Sequence, residues 1–475
     1  MRILFLQFLP PNRHRGHARF DEQLGVLSSV LRQQGHATGL LPITRFDEQA
    51  IRIKVAHFRP QFICADIAAT SADLAHRTLG HISSRHFLPM ACTGVFPTAK
   101  PDRALSLPGV HAIVIGEPEV ALPALLQAQA TADLDAVLPG VWLNSDGAVV
   151  KNDLAPLTEN LDALPDADRN LFGYQRQINA TREAEVSAGR GCPHFCAYCL
   201  NDWLMEIYEG MGTFVRRRSP ERICDEIEAL RRRFTGIERI RFREHLFALD
   251  EDWLASFVEV YRRRCDLPLR CHVRANALTD RIADLLVEAG TALVDIEVIS
   301  GSDFVRNEIF DMELTDSQII SAFERLGRRG IATRAINYLG APYASEVSIE
   351  ETVELNRRIR PTSLEARVYY PFPRTRAAEL CKESGWLSNR GEAGFALDDS
   401  ILDIPSLPRS KINRLARRFV WDVHHPNESP LGELGVWIAT GPLGRAYRAL
   451  TRSVRPAPHR TARKADTDPG EVAET

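Results

Sequence analysis

Between residues 183 and 375 the sequence alternates strand-like and helix-like segments about six times, which limits the possible folds more than any other feature of the chain. Parallel strands joined by helices in this number predict a partial (β/α)6 barrel, with a site at the carboxyl ends of the strands. The predicted strands are Glu185–Ala188, Arg239–Phe242, Leu269–Val273, Leu293–Val298, Ala332–Leu339 and Ser363–Tyr369. The predicted helices include Pro220–Phe234, Asp252–Arg264 and Thr279–Ala289.

Residues 1–138 show a second strand–helix alternation and form a predicted domain of their own. Continuous apolar runs separated by a helical pattern are typical of an α/β, doubly wound (Rossmann-like) sheet. Such a sheet binds its ligand at the carboxyl ends of its strands, where small and polar residues recur in this chain. The predicted strands are Arg2–Phe8, Gln61–Ala65, Leu88–Thr93 and Ala112–Ile115, and the first helix is Gln23–Gln34.

The remaining segments are predicted from their composition. Residues 139–180 are predicted to be a linker that contains a small hairpin and then a proline-broken segment, with the barrel domain at 181–375. Residues 376–454 are predicted to be a small, mostly helical C-terminal region, with amphipathic helices at Leu415–Val423 and Gly435–Val454. The second helix is rich in arginine; packing on the barrel is favoured, and peripheral contact with a membrane is left open. Residues 455–475 are predicted to be disordered.

Composition excludes several classes of protein. The chain has 44% hydrophobic and 25% charged residues, as in soluble globular proteins, and a net charge of −3 that would not attract nucleic acid. Nine cysteines in 475 residues suit a reducing cytoplasm better than a disulfide scaffold. The apolar start of the chain is short and ends at Pro10 and Pro11, so it predicts a strand rather than a signal peptide. We therefore predict a cytoplasmic protein.

Cys192, Cys196 and Cys199 lie on one short segment just after the first predicted barrel strand. Their C-x3-C-x2-C spacing can hold three corners of an iron–sulfur cube, and no fourth cysteine lies nearby to bind the last iron. A structural zinc site would need a fourth ligand, and His194 lies inside the loop, where its geometry is poor. The segment therefore predicts a [4Fe-4S] cluster with one iron free to bind another molecule.

The cysteine segment resembles the signature of the radical S-adenosylmethionine (SAM) superfamily. The resemblance implies that the free iron binds the amino and carboxylate groups of SAM, and that reduction cleaves SAM to a 5′-deoxyadenosyl radical. It also implies that Tyr198, just before the third cysteine, lies against the adenine. Cys224, Cys265 and Cys381 lie elsewhere and are predicted to be packing residues.

Residues at the other predicted strand ends can be compared with the same superfamily. Glu244 and His245 stand where relatives have an Asp-Asp pair, and Arg274 follows the third strand. Ser300 begins a segment that resembles a Gly-Ile-Glu-Ser-Gly-Ser motif, but Ile299 replaces its glutamate and Glu297 lies two residues earlier. The residues that the resemblance implies for SAM binding are Tyr198, Glu244, Arg274, Glu297 and Ser300.

Three loops of the N-terminal domain resemble those of the cobalamin (B12)-binding domain that precedes many radical SAM domains. In this chain Thr93 replaces the first of two paired glycines, and the Asp-x-His-x-x-Gly motif that supplies a histidine to cobalt is absent. We therefore expect cobalamin without a histidine of that kind on its cobalt, and a domain that has lost the cofactor is left open. The residues implied for cobalamin binding are Thr70, Ser71, Gly94, Thr98, Gly116 and Glu117.

Taken together, the chain resembles the cobalamin-binding-domain radical SAM enzymes over residues 1–385. The resemblance implies an enzyme that modifies, and most commonly methylates, an unactivated carbon of a small-molecule or biosynthetic substrate. It also implies an external electron donor such as flavodoxin or ferredoxin. Two alternatives remain at this point: a radical SAM enzyme without functional cobalamin that catalyses rearrangement, cyclisation or oxidation, and a non-catalytic iron–sulfur or corrinoid-binding protein.

Overall fold

The N-terminal sheet of the computed structural model has seven strands in the order β2-β1-β3-β4-β5-β6-β7. The structure describes residues 1–9, 18–131, 137–145, 148–388 and 399–425. The first five strands in this order are parallel to one another, β6 pairs antiparallel with β5, and β7 pairs antiparallel with β6. The strands are β1 (Arg2–Phe8), β2 (Ala37–Ile43), β3 (Phe62–Asp66), β4 (Met90–Thr93), β5 (Val110–Val114), β6 (Val141–Ser145) and β7 (Ala148–Lys151). The helices are α1 (Glu22–Gln33), α2 (Glu48–Phe58), α3 (Ala72–Ser83), α4 (Val95–Ala99), α5 (Pro101–Leu105) and α6 (Pro118–Thr131). This arrangement confirms the predicted doubly wound α/β sheet.

Strand β2 is not among the predicted strands. Its sequence contains Gly39 and Pro42, which interrupt the apolar run that identifies the other strands. The strand lies at the edge of the sheet, where a proline is tolerated because one side of the backbone needs no partner. A Cβ on Gly39 would come within 2.8 Å of the Phe58 ring, so glycine lets helix α2 pack closely on this edge.

The predicted hairpin is present as β6 and β7, which extend the N-terminal sheet. Its strand β6 pairs with β5, so the start of the predicted linker belongs to that sheet. Residues Met1–Val423 form one compact unit that contains both sheets, and the predicted domain boundaries stay predictions.

The second sheet has six parallel strands in the order β15-β14-β13-β12-β11-β8. Its strands are β8 (Glu183–Val186), β11 (Arg239–Phe242), β12 (Leu269–His272), β13 (Thr291–Ile299), β14 (Ala332–Leu339) and β15 (Ser363–Val368). A short antiparallel pair, β9 (Gly189–Arg190) and β10 (Arg216–Arg217), lies between the first two of them in the sequence. All six predicted barrel strands are present, which confirms the partial (β/α)6 barrel.

Helices connect the barrel strands, and several of them begin at side-chain caps. Ser219 accepts a hydrogen bond from the Arg222 amide at 3.2 Å. At the start of the next helix, Asp250 accepts a hydrogen bond from the Trp253 amide at 3.0 Å. The helices are α7 (Tyr174–Thr181), α8 (Leu200–Ile207), α9 (Pro220–Arg233), α10 (Glu251–Arg264), α11 (Asp280–Glu288), α12 (Asp316–Arg328), α13 (Glu346–Ile359), α14 (Arg376–Glu383) and α15 (Arg409–His424).

Helix α15 contains the predicted helix Leu415–Val423. The predicted helix Gly435–Val454, the predicted tail 455–475 and the membrane contact suggested for this region lie outside the described residues. In the ranges given above, no helix combines the length and hydropathy needed to span a bilayer.

Arg169 connects the N-terminal segment to the barrel and is only 2% exposed. Its guanidinium lies 4.6 Å from the centre of the Phe20 ring, which precedes helix α1. Arg169 Nη2 donates to the Glu185 carbonyl at 2.7 Å and lies 2.8 Å from Glu226 Oε1 on helix α9. A buried charge of this kind is tolerated because it is paired and hydrogen-bonded.

We expect Arg169→Met to lower the free energy of unfolding by about 3–5 kcal/mol, because it leaves Glu226 as a buried carboxylate with fewer positive partners. The matched control is Arg263→Met, which removes an exposed ion pair with Glu259 on helix α10 and should cost less than about 1 kcal/mol. Urea unfolding followed by circular dichroism measures both. Equal losses in the two variants would contradict a structural role for the buried pair.

Candidate active site

The cysteine loop begins where strand β9 ends and is held by backbone contacts on two sides. Gly191 has a φ of 86°, and a Cβ there would come within 2.1 Å of the Phe214 carbonyl oxygen, so only glycine fits the turn. The Ala197 amide donates to the Phe310 carbonyl at 2.9 Å, and the Ala197 carbonyl accepts from the Ala377 amide at 2.9 Å. The loop is therefore fixed to the barrel before any ligand binds.

Cys192, Cys196 and Cys199 line one cavity of about 290 Å³, together with side chains from the barrel strands. All nine cysteines are free thiols. Burial raises the pKa of each of the three, that of Cys199 to about 12, so a bound cation is needed to favour their thiolate forms. Arg274 Nη1 donates to Cys196 Sγ at 3.3 Å and places a positive charge beside this thiol.

The set of donors in this cavity suits a [4Fe-4S] cluster with one open iron. Three thiols face the cavity, and no fourth cysteine is found among the described residues that line it. In a four-iron cube each cysteine binds a different iron. Among the residues that the structure describes, no three His, Cys, Asp or Glu side chains are grouped so that they could hold a single metal ion.

Glu297 lies on strand β13 and projects into the cysteine cavity. Its Oε1 lies 3.2 Å from His245 Nδ1, and its Oε2 accepts a hydrogen bond from the Tyr198 hydroxyl at 3.2 Å. Burial alone would raise the pKa of Glu297, but His245, His272 and the Tyr198 hydroxyl together lower it to about 2. The side chain is therefore a carboxylate at neutral pH.

The structure explains why the glutamate of the superfamily motif is displaced in this chain. The pairing of β13 with β14 shifts register between Glu297 and Ile299, and Ile299 has a φ of 64° and is fully buried. Because of this irregularity the side chain that faces the cysteines is Glu297. Ser300 is 3% exposed, bonds to Thr352 and the Ser302 amide, and does not line the cysteine cavity.

Glu244 lines a neighbouring cavity of about 380 Å³ rather than the cysteine cavity. Its Oε2 accepts from the Ala188 amide at 3.2 Å, and its buried Oε1 has no hydrogen-bond partner among the described residues. Burial raises the pKa of Glu244 to about 7, despite the Ala188 bond and the charge of Arg217. Of the residues predicted to bind SAM, Tyr198, Arg274 and Glu297 are therefore brought to the cysteines, and Glu244 and Ser300 are not.

The N-terminal loops form a third cavity, of about 220 Å³. Thr98 Oγ1 donates to the Gly94 carbonyl at 2.9 Å and accepts from the Gly116 amide at 3.0 Å, so the loops after β4 and β5 are joined directly. Gly94 and Gly116 have φ values of 101° and 81°, which favour glycine. The side chain of Glu117 is paired with Arg216, at 2.7 Å, and with Arg190, at 3.2 Å. The predicted residues Thr70 and Ser71 do not line this cavity; Ser71 precedes helix α3.

The three cavities adjoin one another. Asn201 lines all three, and Cys192 and His245 line both the cysteine cavity and the larger cavity that contains Glu244. The carboxyl ends of the N-terminal strands and of the barrel strands therefore contribute to one connected site.

Sequence reasoning missed the residues that join the two halves of the site. Arg190 pairs with Glu117 and with the buried Glu119, and Arg216 pairs with Glu117. A signal was present in the opposite charges of the Gly-Glu-Pro-Glu loop and the Gly-Arg-Gly turn before Cys192. Trp203 and Tyr208, which line the 220 Å³ cavity from the segment after the cysteines, carried no signal that separates them from packing residues.

Glu244→Gln should remove a pH dependence of stability. The pKa of Glu244 in the folded protein, about 7, lies above the ordinary value of 4.5. The contribution of this group to the free energy of unfolding is therefore fully present below pH 4.5 and is lost as the pH rises through 7. We expect the variant to gain about 1–3 kcal/mol over the unmodified protein at pH 8.5 and little at pH 4.5. Urea unfolding at the two pH values measures this, with exposed Glu308→Gln as control. The same difference at both pH values would refute the assignment.

Comparisons with known proteins agree with this geometry. Residues 186–355 match the Radical SAM superfamily. The uncharacterized methyltransferase PH0819 of Pyrococcus horikoshii is 22% identical over 406 residues, which cover 83% of this chain and 85% of that protein.

Two solved structures share the fold. TsrM from Kitasatospora setae, a radical SAM methyltransferase with tryptophan substrate and a SAM analogue bound, aligns with a TM-score of 0.66 and 17% identity over 96% of this chain and 100% of its own. OxsB, a cobalamin-dependent SAM radical enzyme with aqua-cobalamin and SAM bound, aligns with a TM-score of 0.68 and 15% identity over 94% of this chain and 71% of its own. These findings confirm the predicted resemblance. The chain therefore carries a domain of the Radical SAM superfamily within the fold of the cobalamin-dependent radical SAM enzymes.

Proposed function

We propose that this protein is a cobalamin-dependent radical SAM enzyme that methylates an unactivated carbon of a small molecule. The observation that carries the proposal is the shared wall of the three cavities, because it joins a three-cysteine loop to glycine loops at the ends of a doubly wound sheet. PH0819 and TsrM, both named as methyltransferases, support the reaction class.

Cys192, Cys196 and Cys199 would hold the cluster, and Tyr198, Arg274 and Glu297 would contact SAM in the cavity that they share. When bound, the reduced cluster and SAM supply a 5′-deoxyadenosyl radical. The Glu297 carboxylate is charged and held in place by His245 and Tyr198, so it can accept a charge-assisted hydrogen bond from the ammonium group of SAM. The rings of Tyr198 and Tyr338, whose centroids lie 5.8 Å apart, form an aromatic wall of the same cavity.

Gly94, Thr98 and Gly116 would hold cobalamin, which supplies the methyl group that is transferred. The hydrogen bonds between these loops fix their backbone. Because the carboxylate of Glu117 is paired with arginines, this residue would contact cobalamin through its backbone. Contacts of Thr70 and Ser71 with the cofactor remain predictions; both follow strand β3 at the same edge of the sheet.

The substrate would occupy the cavity of about 380 Å³, since Cys192 and His245 connect it to the SAM position. Its walls come from both halves of the site: Glu22 and Gln23 begin helix α1, Leu164 lies between β7 and α7, and Glu244 follows a barrel strand. An external electron donor such as flavodoxin or ferredoxin would reduce the cluster. Ring formation, rearrangement or oxidation on the same scaffold is the alternative outcome of the chemistry.

The cluster assignment is tested by replacing all three loop cysteines with alanine. The reconstituted protein should contain about four irons per chain and form 5′-deoxyadenosine from SAM, whereas the triple variant should have almost no iron and at least about 100-fold less product. Cys224→Ala, which changes a buried thiol of helix α9, is the matched control and should keep both. Stoichiometric zinc in anaerobically purified, unreconstituted protein would overturn the assignment, as would loss of iron in the control.

The cobalamin assignment is tested by gel filtration with hydroxocobalamin. The protein should retain the corrinoid, and the EPR spectrum of the cob(II)alamin form should lack nitrogen hyperfine splitting from an axial imidazole. Gly94→Ala should lose retention, because a Cβ would come within 2.5 Å of Asp66 Oδ1. Gly173→Ala, with a φ of 62° and no atom within 4 Å of the added Cβ, is a milder substitution at a positive φ away from the site and should retain it. Failure of the unmodified protein to bind corrinoid at micromolar concentration would favour the cobalamin-free alternative.

A further inference from the structure

Tyr208 lies at the end of helix α8, which begins directly after the third cysteine of the loop. Its side chain crosses from the radical SAM domain to the N-terminal loops and is 4% exposed. The hydroxyl oxygen lies 1.7 Å from the point that a Cβ on Gly116 would occupy. The phenol therefore fills the space that glycine leaves open at this loop, and it lines the cavity of about 220 Å³.

The hydroxyl of Tyr208 makes no hydrogen bond with the residues that the structure describes. Burial raises its pKa to about 12, with the charge of Glu117 as a further cause, so the group keeps its proton and can donate. Glu117 is not its acceptor, because that carboxylate receives bonds from Arg216 and from the Thr158 amide. Because Tyr208 lines the cavity, an acceptor on a bound ligand can take the place of water as the partner of its hydroxyl.

The walls around the hydroxyl indicate which kind of ligand atom it meets. Most of the lining is apolar, and the nearby charge of Arg216 is neutralised by Glu117. Such a cavity disfavours a charged group and accommodates a neutral group with one hydrogen-bond acceptor. The apolar side chains are Val95, Ala99, Leu157, Leu200, Trp203, Leu204 and Phe214.

We propose that Tyr208 is a cofactor-contacting residue whose hydroxyl donates a hydrogen bond to an uncharged acceptor of the corrinoid held by the Gly94, Thr98 and Gly116 loops. The inference rests on the proposed function, in which a corrinoid binds there. Two parts of cobalamin offer such acceptors: the amide oxygens around the corrin ring and the nucleotide with its aromatic base. One helix of eight residues, Leu200–Ile207, then separates a cluster ligand from a corrinoid ligand.

The test compares corrinoid affinity in the full-length protein and in Tyr208→Phe, which keeps the ring and removes only the hydroxyl. The probes are hydroxocobalamin and cobinamide, which lacks the nucleotide, and binding is followed by absorbance titration. We expect Tyr208→Phe to bind hydroxocobalamin about 3- to 10-fold more weakly, the loss typical of one hydrogen bond. Tyr343→Phe, at a residue that is 45% exposed and lines none of the three cavities, should bind as the unmodified protein does. Iron content and circular dichroism confirm that both variants fold.

The outcomes separate this inference from the proposed function. An equal loss for both corrinoids supports an acceptor on the corrin ring, and a loss for hydroxocobalamin alone supports an acceptor on the nucleotide. If the unmodified protein binds hydroxocobalamin and Tyr208→Phe binds each probe as tightly as the unmodified protein does, the inference is overturned and the proposed function stands. If the unmodified protein binds neither probe, both are overturned.

Discussion

The pairing of Glu117 and Glu119 with Arg190 and Arg216 is the contact on which the rest of the site depends. The acidic residues follow strand β5 of the N-terminal sheet, and Arg190 lies two residues before the first loop cysteine. Because these groups are largely buried, a break in the pairing leaves an uncompensated charge, which is among the most costly changes in a protein. The pairing therefore joins the glycine loops to the start of the cysteine loop, and Glu117 and Arg190 line both the 380 Å³ and the 220 Å³ cavities.

Most of the fold follows from patterns that can be recognised in the sequence. Buried parallel strands such as Arg2–Phe8 are continuous apolar runs, and Arg239–Phe242 and Ala332–Leu339 were predicted with the bounds that the structure has. Strand β2 could not be predicted, because Pro42 and Gly39 are acceptable only at a sheet edge, and the position of a strand in a sheet depends on tertiary structure. The same reason explains why the hairpin β6–β7 could be predicted as a hairpin but not as part of the N-terminal sheet.

The site was less accessible to sequence reasoning. The spacing of the cysteines is local, so it predicts that they lie on one loop. Glu297, and not Ile299, faces the cysteines because the pairing of two strands shifts register there. The spacing of residues in the sequence does not reveal this shift. Ser300 matches a motif residue, but its hydroxyl accepts a hydrogen bond from the Ser302 amide in the turn after β13. Tyr208 looks like an ordinary aromatic residue until the fold brings its hydroxyl against Gly116.

The shared wall at Asn201 has a consequence for how proteins of this kind can diverge. A change at Asn201 alters three cavities at once, so it cannot adjust one ligand without disturbing the others. Three residues between β7 and α7 are different: Leu161, Leu164 and Ala167 line the cavity of about 380 Å³ and neither of the other two. Substitutions at these three positions would reshape that cavity without changing a residue that lines the cysteine cavity or the 220 Å³ cavity. New specificities can therefore arise from a stretch of chain that belongs to neither sheet.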